Sequence, residues 1–154
     1  MSQLRKHPLY RALRADKLAL AALEKTLESF SRERSTEEVP VLRMLALSKA
    51  DIETRAKAVI ESYRKGSNVD PLDIQIQDGE SAIGGGAGPN TYPATSLLSV
   101  SHVQHSADQI EEALRLSNPP IISRIAEGQV LLDLRSVEPC ADQEIVAALQ
   151  SVSK

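Results

Sequence analysis

Leu72-Asp73-Ile74-Gln75-Ile76-Gln77 alternates apolar with polar side chains without a break. That two-residue period puts every second side chain on one face, the pattern of a strand with one buried side. The strand is expected over Asp70 to Gln77. It decides the fold class because segments of helical period flank it. A sheet must receive the strand, and helices must cover its apolar face.

Downstream, Gly84-Gly85-Gly86-Ala87-Gly88-Pro89-Asn90 is too rich in glycine for the interior of a helix or strand. A second strand is expected over 94 to 102. Ser106 and Gln109 form a capping box that opens a helix to Leu116. Pro119-Pro120 leads into Ile121 to Ile125, a tight Ala126-Glu127-Gly128 turn, and Val130 to Arg135, the clearest hairpin signal in the chain. Residues 141 to 152 close the chain with an amphipathic helix carrying Ile145, Val146, Ala148, Leu149 and Val152.

Upstream, Ser48 and Asp51 resemble a capping box, and the helix they open is expected to end at Lys65 before Gly66. Residues 9 to 33 read as a long helix with Leu13, Leu20, Leu23, Leu27 and Phe30 on one stripe. The polar run Ser31 to Glu38 breaks that pattern, and Pro40 is placed to open a helical turn. The order predicts an α+β fold: a long N-terminal helix, then an antiparallel sheet with helices on one face. Only the helical arm at the start offers a place to divide the chain.

Composition narrows the function classes. The chain has 154 residues, 42% hydrophobic and 25% charged, so one aliphatic core is expected, with no Trp and one Phe. A net charge of -3 argues against an unaided grip on a nucleic-acid backbone. Cys140 is the single cysteine, which excludes an internal disulfide and a cysteine zinc cluster and fits a reducing cytoplasm. No run approaches the roughly 20 apolar residues of a membrane span, and the first residues do not form a secretory signal.

Among candidate site residues, Arg11 and Arg14 are spaced to share one helical face and to clamp an anion. Asp16 and Lys17 read as helix-fixing ion-pair partners. The glycine run suits an anion nest, a connector or a subunit contact, and it matches no P-loop or dinucleotide fingerprint. Arg124 and Arg135 fall on the hairpin, Arg135 facing Asp133 two residues away, in structural or ligand-binding roles. His7, His102 and His105 lack the carboxylate or cysteine neighbours of a metal site, so no metal is expected. Cys140 has no local base, so no nucleophile is expected.

Several blocks together resemble the bacterial selenocysteine synthases, L-seryl-tRNA(Sec) selenium transferases. His7-Pro8-Leu9-Tyr10-Arg11-Ala12-Leu13-Arg14-Ala15-Asp16-Lys17-Leu18 is similar to the segment shortly after that family's cofactor lysine. Val39 to Leu45, Gly84-Gly85-Gly86 with Pro89 and Pro93, Pro119 to Ile125, and Leu131 to Arg135 resemble later blocks, in family order. The resemblance implies the small C-terminal domain, over 36–154, of a fold-type I (aspartate-aminotransferase-like) pyridoxal-phosphate enzyme. Residues 1–35 would then be a helical segment leading from the large cofactor-binding domain.

The family turns seryl-tRNA(Sec) into selenocysteinyl-tRNA(Sec), with selenophosphate as donor and an aminoacrylyl intermediate on the cofactor. It implies a cytoplasmic ring of dimers. It also implies that Arg11 and Arg14 bind the selenophosphate phosphate, with Asp16 and Lys17 of the same block supporting the helix. Arg124 and Arg135 are held as structural, because the carboxylate that a small-domain arginine binds in many enzymes of this fold type is here esterified to tRNA. The Schiff-base lysine belongs to a Gly-Asp-Lys motif upstream of the His-Pro block, and no such motif stands before His7. No catalytic residue is therefore expected in this chain, and the chain alone is expected to be inactive. Two other readings are the small domain of a related pyridoxal-phosphate lyase acting on a sugar-acid or amino-acid phosphate, and a non-catalytic α+β interaction module.

Overall fold

A computed structural model describes residues 6–10, 14–66, 71–83 and 91–152. Contacts group the chain into two compact units, Met1–Ala46 and Leu47–Lys154. The sequence boundary after residue 35 falls inside the first of them.

In the first unit, a 3-10 turn spans Pro8–Tyr10, and helix α1 spans Lys17–Ser31. The expected helix from residue 9 is thus not continuous. Asp16 is extended, with φ -74° and ψ 170°, and its carboxylate accepts the Ala19 N–H at 2.7 Å. A side chain that caps a helix cannot also lie within it, so the helix starts one residue later. The stripe forms at the expected spacing but stays open to solvent: Leu20, Leu23, Leu27 and Phe30 are 52 to 59% exposed.

Glu33 has φ 58°, which breaks the helical run after Ser31. The polar segment beyond it is not wholly irregular, because Ser35–Glu38 forms a short helix α2 and Pro40–Ala46 a helix α3 opened by its proline. Glu38 ties α1 to α2, accepting from Ser29 Oγ at 2.7 Å and from Arg32 Nη2 at 2.8 Å.

The second unit holds helix α4 (Lys49–Gly66), strands β1 (Leu72–Glu80) and β2 (Ala94–His102), helix α5 (Ala107–Arg115), strands β3 (Arg124–Ala126) and β4 (Gln129–Asp133), and helix α6 (Asp142–Val152). The strands form one antiparallel sheet in the order β1-β2-β4-β3. Alternate residues Leu72, Ile74, Leu98, Val100, Val130 and Leu132 face a core completed by Ile52, Ala56, Val59 and Tyr63 of α4, Ile110 and Leu114 of α5, and Ile145 and Leu149 of α6. The α+β class with helices over one sheet face is what the two periods predict.

Both capping boxes form. Ser106 Oγ accepts the Gln109 N–H while Gln109 Oε1 accepts the Ser106 N–H. Asp51 accepts from the Ser48 hydroxyl and backbone N–H, which holds its carboxyl below the usual carboxylate range, the hydroxyl being the larger cause.

β1 runs to Glu80, past the expected end at Gln77, because its ladder with β2 continues through Asp78, Gly79 and Glu80. Gly79 is needed there, since a Cβ would run into the Leu97 side chain. The hairpin is shorter than expected. Its turn is the two residues Glu127 and Gly128, at φ 53° and 75°, the left-handed pair that suits the twist of a tight hairpin. Ile121 is outside the strand because its N–H bonds Leu114 O at the end of α5. Arg135 also leaves the strand: Leu134–Ser136 is a 3-10 turn capped by Asp133.

Candidate functional site

Arg11 and the glycine run 84–88 lie outside the described residues. Arg14 is exposed and precedes the Asp16 cap, so it sits on the approach to α1 and not on the helical face expected from its spacing. Its guanidinium carbon lies 5.2 Å from the centroid of the Tyr10 ring, within reach of a cation–π contact. Lys17 is the exposed first residue of α1, and Asp16 fixes that helix by capping it.

Arg124 is exposed on β3 and donates from Nη2 to Glu80 O at 3.0 Å. Arg135 is only 5% exposed. Its Nε donates to Ser81 Oγ at 2.9 Å, Nη1 to Leu47 O at 2.6 Å, and Nη2 to Ala94 O at 2.8 Å. Asp133 sits beside it: Oδ2 accepts from Ser81 Oγ at 2.6 Å, and Oδ1 accepts from Thr95 Oγ1 and the Arg135 N–H, both at 3.0 Å. Asp133 is thus reached from Arg135 through its backbone N–H and through the Ser81 hydroxyl. Sequence reasoning found Asp133 by its position but missed Ser81 and Thr95, which carry no local signal.

A second polar cluster was also illegible. Arg55 of α4 holds Asp142 of α6 with Nε at 2.9 Å and Nη2 at 2.5 Å, while Nη1 donates to Leu134 O and Val137 O. This fork joins two helices and the 3-10 turn between β4 and α6.

His102 Nδ1 accepts the backbone N–H groups of Gln104 and His105, so it serves the turn after β2. Among the described residues, no three His, Cys, Asp or Glu side chains come together as a metal site would need. Cys140 is exposed on a 3-10 turn. No described helix is long and apolar enough to cross a membrane.

Pyridoxal phosphate requires a lysine held in a desolvated pocket beside phosphate donors. The described lysines do not fit. Lys6, Lys17, Lys25, Lys57 and Lys65 are exposed, and the half-buried Lys49 pairs with Asp78 at 2.7 Å. Lys57 borders a groove of about 300 Å³ between α4 and β1, but its ammonium is taken by Glu53 at 2.6 Å.

A family model described as L-seryl-tRNA selenium transferase matches residues 1–138. Among similar proteins, the L-seryl-tRNA(Sec) selenium transferase of Geotalea daltonii is 43% identical over 99% of this chain and 33% of its own length. The proteins of the same description from Geobacter metallireducens and Geotalea uraniireducens are 39% and 38% identical, over 99% and 100% of this chain. In each case the chain spans 33% of the relative, about a third of its length.

Proposed function

Because this chain belongs to the L-seryl-tRNA selenium transferase family, we propose that it serves as the C-terminal portion of an enzyme that makes selenocysteinyl-tRNA(Sec) from seryl-tRNA(Sec) and selenophosphate. The observation that carries this reading is the family match, which runs through the Arg11–Arg14 block and on to residue 138. In the proposal, pyridoxal phosphate is bound by parts of the longer protein that this chain does not include. The whole enzyme is proposed to work in the cytoplasm as a ring of dimers of fold-type I subunits. Residues 1–35 would lead from the cofactor domain, and 36–154 would form the small domain.

The part proposed for this chain is electrostatic. Arg11 and Arg14 present guanidinium forks to the phosphate of selenophosphate, with geometry a lysine does not reproduce. The exposure of Arg14 supports its availability to an anion. Asp16 supports the pair by fixing the start of α1 immediately beyond it. Two further features accord with a chain that works as part of a larger protein: its net charge of -3, which suits no independent RNA grip, and the open apolar stripe of α1.

The test uses a protein of full family length with Arg11→Ala or Arg14→Ala. Each change is expected to raise KM for selenophosphate by about 10- to 100-fold, the equivalent of one charge-assisted hydrogen bond. Seryl-tRNA binding is expected to be unaffected. An unchanged selenophosphate KM in both variants contradicts the assignment of the arginine pair.

A further inference from the structure

The β1–β2 ladder ends at the pair Glu80–Ala94. Beyond it, the two stems of the connection stay together through a different set of contacts. Ser81 N–H donates to Pro93 O at 2.9 Å, closing the mouth of the connection. Ser81, Thr95 and Arg135 are all buried, at 5%, 0% and 5% exposure. Their polar groups meet at the end of β4.

The Ser81 hydroxyl accepts from Arg135 Nε and donates to Asp133 Oδ2, so it links a buried cation to a carboxylate. The start of β2, where the other stem enters the ladder, is held twice: Ala94 O accepts from Arg135 Nη2 and Thr95 Oγ1 donates to Asp133 Oδ1. Arg135 Nη1 adds Leu47 O, where the chain enters the second unit. Only a planar fork of several donors reaches these acceptors at once.

We infer that Arg135, Ser81 and Asp133 form a clamp that fixes Ser81, the first residue beyond the ladder, against the first two residues of β2, with Arg135 as a positioning residue. The clamp is independent of the reaction proposed above, and it opens as a local unit while the helical layer stays folded. Loss of the Ser81 hydroxyl takes one donor from Asp133 Oδ2 and one acceptor from Arg135 Nε in a buried setting. That loss falls at the mouth of the connection, where Ser81 meets the start of β2 and the end of β4.

Native-state amide hydrogen exchange on this chain tests the inference, since it needs neither substrate nor cofactor and so remains informative if the selenium-transferase reading fails. Ser81→Ala removes one oxygen and breaks both links. It is expected to speed exchange of the position 81 and Arg135 amides by about tenfold or more, while Val59 and Ile60 in α4 change by less than about twofold. If Ser81→Ala does not fold, Arg135→Lys, which keeps the charge but lacks the fork, is read in the same way. Equal acceleration in α4, or no acceleration at positions 81 and 135, overturns the clamp.

Discussion

Leu98→Ala is expected to destabilise the unit Leu47–Lys154 by about 3–4 kcal/mol. Leu98 has no exposed surface. It lies on the central strand β2, opposite Ile76 of β1 on one side and Leu132 of β4 on the other, and points into the core under the helices. Truncation removes burial and leaves a cavity against a central strand that is paired on both sides and cannot readily shift to fill it. Leu98→Met keeps volume and apolarity, so its cost is expected to stay below about 1.5 kcal/mol. Urea titration followed by circular dichroism checks both values. A loss below about 1 kcal/mol for the alanine variant would mean that this position is not the centre of the core.

Arg55→Met is expected to cost about 3 kcal/mol, lowering Tm by roughly 10 °C. The pair with Asp142 is mostly shielded, with side-chain exposures of 14% and 22%. Methionine can occupy the path of the arginine stem but supplies none of its donors. Asp142 then loses a bidentate partner, Val137 O loses the arginine donor, and Leu134 O falls back on the Val137 N–H. The residual solvent contact of Asp142 and its place in the first turn of α6 keep the expected loss at the low end for a broken buried pair. In the double variant with Asp142→Asn, the losses are expected to be less than additive, because the second change removes the charge that the first left unpaired. Additive losses would show that the two side chains do not act as a pair.

The sequence carried the sheet because local rules sufficed for it. Alternation at Leu72, Ile74 and Ile76 marked a strand with one dry face, Ser106 with Gln109 marked a helix start, and Ala126-Glu127-Gly128 marked a turn. The start of α1 was missed although its signal is local: Asp16 is a favoured capping residue, and the apolar repeat from Leu13 masked it. That error also put Arg14 on a helix it precedes. The roles of Arg55 and Arg135 were not legible, because their partners lie far along the chain. Arg135 meets residues 41, 54 and 88 positions away, and Asp142 stands 87 residues from Arg55. The candidate site itself was legible only as a block of sequence, since Arg11 falls outside the described residues and Arg14 shows exposure but no built pocket.

The central claim is that this chain contributes arginines to a composite site and holds no cofactor lysine of its own. The most direct test adds pyridoxal phosphate to the purified chain, reduces with borohydride and maps the peptides by mass. The account predicts only scattered, substoichiometric modification of exposed lysines. A single stoichiometric adduct on one residue, above all Lys17, would contradict it and mean that this chain builds a cofactor site by itself.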